Sequence, residues 1–333
     1  MPTFCRHNRL IQNCPICSRE QQVEMRPVVT PRGQSPTQAR VAGAPARSRA
    51  AGATTPRGRS GSRGSVTVRQ LRRGADDGYQ SALVPGLRSS ADAERLADEL
   101  AFAAARLECL TEEPPGLYAE VADPAGAIEE RTWLAFLIAY LGPLDGDDPF
   151  AGIRSARTTW SSGELPPLDN VLTGPRTAHD PSRGARTIEA YRAWAQRAGS
   201  QEAAFAGEPG WTADRRFARI FERLALPGLQ RGARFDLLVT LGRLGVYELQ
   251  ARALAFGGND EVTLAAKRLL GIGDPLLLER RAADLAEACG LELDVLDAGL
   301  YNWERGTRAT LGMGEDAEGD PAVAAAVQSA LGL

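Results

Sequence analysis

The chain has 333 residues, 43% of them hydrophobic, enough for one large domain or two small ones around a sizeable core. Its longest apolar run, Trp133 to Leu141, falls well short of a membrane span, and the first residues lack a signal peptide's apolar core, so the expectation is a cytoplasmic protein with no membrane partner. The net charge of −3 conceals a basic arm, with fourteen arginines against Glu20 and Glu24 in residues 1–75, on a body that sums to −15. An arm of that kind meets a polyanion or the body itself.

The arm opens with Cys5, His7, Cys14 and Cys17, spaced C-x-H-x6-C-x2-C. Four soft or borderline donors complete a tetrahedron around Zn²⁺ and leave no open position, so the predicted metal role is structural. Residues 1–21 are too few to fold on their own core, and the metal would stand in for one. Three of the five cysteines crowd into this knuckle, which suits metal binding in a reducing compartment better than disulfides. Elemental analysis of the purified protein is therefore expected to find one zinc per chain. Finding no zinc, with the three thiols freely titratable, would refute this. Residues 22–66 are rich in Pro, Gly, Ser, Ala and Arg without periodicity, and read as a disordered tether. Its arginines would add salt-sensitive nucleic-acid affinity.

The body, residues 67–333, reads as all-α, with no strand run and no repeat. Ser89 or Ser90 caps a helix to about Cys109. A second helix, Gly126 to Leu141, is apolar on most sides and is the core candidate. Its acidic start, Glu129-Glu130-Arg131, either lines a pocket or simply favours a helix N-terminus. The polar stretch 142–186 holds a short helix near Pro149 to Arg157 and then His179, a general-base candidate or a solvated loop histidine. Further helices are expected near Thr187–Ala198, Ala213–Leu224, Ala233–Leu244, with Arg234 and Arg243 facing outward, and Tyr247–Phe256. A small apolar helix, Pro321–Leu331, ends the chain.

The densest signal lies between Glu261 and Trp303. Asn259 and Asp260 can cap a helix from Glu261 to Leu270. Gly271-Ile272-Gly273 turns the chain, and Asp274-Pro275 starts a second helix that stops at Gly290. In a helix-hairpin-helix, such a turn lets backbone N–H groups approach a phosphate. The same glycines would equally serve a plain corner between helices. Asp294 and Asp297 follow. Either can supply a carboxylate to chemistry, or cap a helix starting at Ala298. Lys267, the chain's only lysine, precedes the hairpin.

Hairpin, helix, Ala288-Cys289-Gly290 and then Asp297 together resemble the core of the helix-hairpin-helix DNA glycosylase superfamily. With the knuckle FCRHNRLIQNCPICS and the segments AAKRLLGIGD and LDAGLYNW, the chain is similar to the bacterial branch of the alpha-glutamyl/putrescinyl thymine pyrophosphorylase family, its third clade. That resemblance implies a glycosylase-like helical fold acting on nucleic acid, most simply DNA. The implied reaction displaces pyrophosphate from an activated hydroxymethyl pyrimidine with an amine or amino acid. It assigns the catalytic acid to Asp297, with Asp294 as the competitor, and nucleic-acid contacts to Gly271, Gly273, Lys267, Tyr301 and Trp303; Tyr301 or Trp303 would stack on a flipped base, the alternative for both aromatics being core packing. The position of a Schiff-base lysine is Asp274-Pro275 here, which argues against amine-type strand cleavage, and Asp274 itself would repel a phosphate. A base-excising glycosylase and a non-catalytic zinc-containing nucleic-acid-binding protein are the alternatives.

Overall fold

Apolar residues recur at helical spacing through the body, and every regular element among the described residues is an α-helix. The computed structural model describes residues 74–314 and 317–333; the expected zinc ligands Cys5, His7, Cys14 and Cys17 and the expected tether 22–66 lie outside them. Helix α1 (Ser90–Glu112) is the longest and buries Leu96, Leu100 and Leu107 on one face. After α2 (Leu117–Ala122) comes α3 (Ile128–Leu141), buried without interruption from Thr132 to Leu141. A helix that is apolar all round has no face to offer water and must lie inside. Its Phe136 stacks on Tyr191 with ring centroids 3.8 Å apart. Each large side chain buried in this way contributes about 1.5–3 kcal/mol.

The chain continues through α4 (Ala151–Ala156), α5 (Gly184–Arg197), α6 (Gln201–Ala206), α7 (Ala213–Arg223) and α8 (Arg231–Arg243). It ends with α9 (Glu261–Leu270), α10 (Pro275–Cys289), α11 (Leu293–Arg305) and α12 (Pro321–Leu331). Two packing centres result. Helix α3 lies against α8 and α2, while α11 lies against α1 and α9, with α12 closing the far side of α1. Among the described residues no helix is long and apolar enough to cross a membrane.

Several sequence expectations are corrected here. Tyr247–Phe256 is not helical. Its backbone is taken by distant side chains: Glu279 accepts the N–H groups of Leu254 and Phe256 at 2.8 and 2.7 Å, and Arg231 donates to the Leu254 carbonyl. Helix α11 begins at Leu293 rather than Ala298, because Gly290 in the left-handed region turns the chain within two residues and Leu291 N–H closes onto the Ala286 carbonyl. Arg234 and Arg243 do not simply face outward: Arg234 lies over Phe221, and Arg243 grips Asp294 through two nitrogens. Glu129 accepts the N–H groups of Gln201 and Glu202 at the start of α6, and Glu130 accepts those of Trp160 and Ser161. Both acids hold neighbouring segments and line none of the cavities described below.

Candidate functional site

The site is built from the far end of α3. The last carbonyls of that helix lack intrahelical partners and need donors. The segment Gly174–Ala178 supplies them: Gly174 N–H reaches the Leu141 carbonyl at 3.1 Å and Ala178 N–H reaches that of Tyr140 at 2.9 Å. This pins the backbone on either side of Arg176 and turns its side chain inward, to 3% exposure. Its guanidinium donates through Nε to Asp236 and through Nη2 to Asp297, both at 2.8 Å. It lies over the Tyr301 ring, 4.5 Å from the centroid.

Asp297 stands in the second turn of α11, buried to 1%, and caps nothing. Its second oxygen accepts Arg231 Nη2 at 2.5 Å, so each oxygen meets a guanidinium. Arg231, the first residue of α8, also donates to the Leu254 carbonyl. Burial alone would raise the Asp297 carboxyl, but Arg231 and Arg176 outweigh it and hold the group below the usual carboxylate range. Asp236 goes the other way. Burial pushes it up against the pull of Arg176, and the charge on Asp297 adds to the rise. The Arg176 guanidinium, bracketed by both acids, is held above its ordinary value despite burial.

Above this network is a cavity of about 60 Å³, lined among others by Arg176, Gln230, Gly232, Asp260, Glu261 and Tyr301. Asp260 caps α9, accepting the Thr263 N–H. Glu261 is exposed, and its carboxylate makes no hydrogen bond among the described residues. Tyr301 donates its hydroxyl to the Pro175 carbonyl at 2.6 Å. Among the described residues no group of three His, Cys, Asp or Glu side chains is placed to hold a metal.

Compared with protein-family models, curated proteins and solved structures, the chain gives no match. The site's chemistry therefore rests on its own residues.

Of the described residues singled out in the sequence, the structure brings Asp260 and Tyr301 to the cavity and Asp297 beneath it. The other described candidates lie elsewhere. Asp294 is held bidentate by Arg243 at 2.8 Å on each side. Trp303, two residues on from Tyr301, points to the opposite side of α11, where its indole donates to the Asp92 carbonyl at 3.0 Å and lies under Arg95. Lys267 is half-buried on α9, its Nζ 3.5 Å from the Gly258 carbonyl. Gly271 and Gly273 do join two consecutive helices, and Gly271 takes the left-handed conformation (φ 65°) that favours glycine. The N-terminus of α10 is already spent, however: Asp274 accepts the N–H groups of Leu276 and Leu277, both at 3.0 Å. A phosphate at this turn would compete with that carboxylate. His179 bonds Tyr140 at 3.2 Å, and partial burial lowers its pKa.

Sequence reasoning missed Arg176, Arg231 and Asp236. Arg176 sits three residues before His179, in the long polar connection already marked as a place for function. Nothing local separates it from the other arginines.

Proposed function

We propose that this protein is a nucleic-acid base-modifying transferase, which displaces pyrophosphate from an activated hydroxymethyl pyrimidine with an amine or amino acid. The observation that carries the reading is the buried guanidinium of Arg176, which lines a cavity with a free carboxylate, Glu261, at its rim and is fixed, together with Arg231, by the carboxylate of Asp297. In the reaction, the bond from the base methylene to pyrophosphate oxygen breaks, and its electron pair leaves with the pyrophosphate. The amine lone pair forms the new C–N bond, and the surplus amine proton passes to a carboxylate or to water. A fixed guanidinium such as that of Arg176 stabilises the charge that builds on the leaving group. Glu261 is suited to orient the amine and take its proton.

Asp297 has both oxygens engaged, so in this reading it positions the arginines and does not itself act as the base. That also weighs against a base-excising mechanism, which would need the acid free beside the sugar. The cavity is small for a pyrimidine ring, so the ring would sit at its mouth with the leaving group inside. The hairpin at Gly271 lies about 15 Å away along α9, within the reach of one bound strand. Zinc in the N-terminal knuckle would be structural.

The test is nucleoside analysis of DNA from host and phage with and without the protein, together with pyrophosphate release by purified protein on DNA carrying the activated base. An aminated pyrimidine and released pyrophosphate are expected only with the protein. Glu261→Gln should lower the rate roughly 10²–10⁴-fold without moving the unfolding midpoint, since Glu261 is exposed. Unchanged nucleosides and no pyrophosphate release would remove the proposal.

A further inference from the structure

A buried donor with no acceptor is destabilising, so unpartnered donors around a cavity indicate what the cavity holds. Arg176 has one: its Nη1 is buried without an acceptor, while Nε and Nη2 are fixed on Asp236 and Asp297. Helix α8 opens at the same cavity with Gln230 at its N-cap and no side-chain cap. The N–H groups of Arg231, Gly232 and Ala233 find no acceptor among the described residues. A thirteen-residue helix so exposed presents partial positive charge and aligned donors.

The acids nearby do not fill this place. Asp236 and Asp297 bind other nitrogens of the two guanidiniums. Asp260 gives one oxygen to the Thr263 N–H and the other to the Thr263 hydroxyl. Glu261 stands exposed at the rim.

We propose that the cavity is a seat for a single phosphate-type oxyanion, held by the Arg176 guanidinium and the N–H groups of Gly232 and Ala233. At about 60 Å³ it exceeds several-fold the ~10–15 Å³ needed by one water and is small for a base. The anion can be the phosphoryl end of a pyrophosphate or a phosphodiester of a nucleic-acid strand. The first source rests on the function proposed above; the seat does not.

The full-length chain is titrated calorimetrically with inorganic phosphate and pyrophosphate, alone and in competition with a short oligonucleotide lacking terminal phosphates. Gly232→Asp is the decisive variant. A Cβ at 232 has only Arg176 Nη2 within 4 Å, at 3.8 Å, and a carboxylate there favours the helix start while occupying the seat. It is expected to keep the unfolding midpoint and weaken phosphate binding roughly ten- to hundred-fold. Arg176→Met should weaken it similarly if that variant folds. Displacement by the oligonucleotide assigns the seat to the strand backbone, and its absence assigns it to a free phosphoryl end. Failure of both anions to bind the wild type would overturn the proposal, as would equal affinity in Gly232→Asp, which would trace binding to other arginines. Gly232-dependent phosphate binding without any base modification would remove the function and leave the seat.

Discussion

Asp297→Asn is expected to lower the thermal midpoint by roughly 10 °C, corresponding to ~3–5 kcal/mol in a domain of this size. Asparagine matches aspartate in shape and would cap a helix almost as well. Asp297 caps nothing, however. It lies in the second turn of α11 with an arginine on each oxygen. The amide leaves two buried guanidiniums without a counter-charge and turns N–H donors toward at least one of them. Removing one partner from a buried ionic network is far costlier than never having built it.

The pH dependence follows from the same geometry. The folded carboxyl titrates below its ordinary value, so its contribution is fully present above the unfolded carboxylate range near pH ~4. That contribution is lost as pH falls through the folded value. Thermal unfolding of the wild type from pH 7 downward should therefore steepen in acid, and Asp297→Asn should flatten that part of the curve. An unchanged midpoint at neutral pH would mean that the two arginines do not depend on this acid.

Gly86→Ala should be among the costliest small changes outside the ionic network, about 3 kcal/mol, at the upper end for overpacking. The segment ending at Gly86 crosses the last turn of α9, where Gly86 N–H donates to the Leu269 carbonyl at 2.8 Å. A Cβ there would lie 1.8 Å from the Arg268 carbonyl oxygen and 2.9 Å from that of Leu269. Both obstacles are backbone and neither can rotate away. The strain would fall on the turn at Gly271, so faster amide exchange is expected at residues 84–87 and 268–273. Gly273→Ala is the control. Nothing lies within 4 Å of a Cβ at that exposed position, and an effect within about 0.5 kcal/mol is expected. Equal costs for the two variants would contradict this packing.

Where local chemistry and fold agreed, the sequence was legible. Helix α3 was readable because ten consecutive buried residues leave it no polar face. The limits of α9 and α10 were readable because Asp260, Gly271, Asp274-Pro275 and Gly290 are strong stop and start residues, and each takes its expected place. Helices α2 and α6, six residues each and too short to show a period, were not read, although the equally short α4 was expected near Pro149 to Arg157. Tyr247–Phe256 was misread because its composition favours a helix, whereas its N–H and carbonyl groups are claimed by Glu279 and Arg231.

The sequence by itself determined that the body is helical, and it marked the 261–303 region, including Asp297 and Tyr301. Those signals are local: capping, glycine conformations and apolar spacing act within a few residues. Only the tertiary structure decided what Asp297 does. Its partners Arg176 and Arg231 lie 121 and 66 residues away, and which two of many arginines turn inward depends on how the end of α3 and the start of α8 meet α11. A buried charge must find its counter-charge wherever the fold brings one. That pairing is set by packing between helices, which no spacing along the chain records.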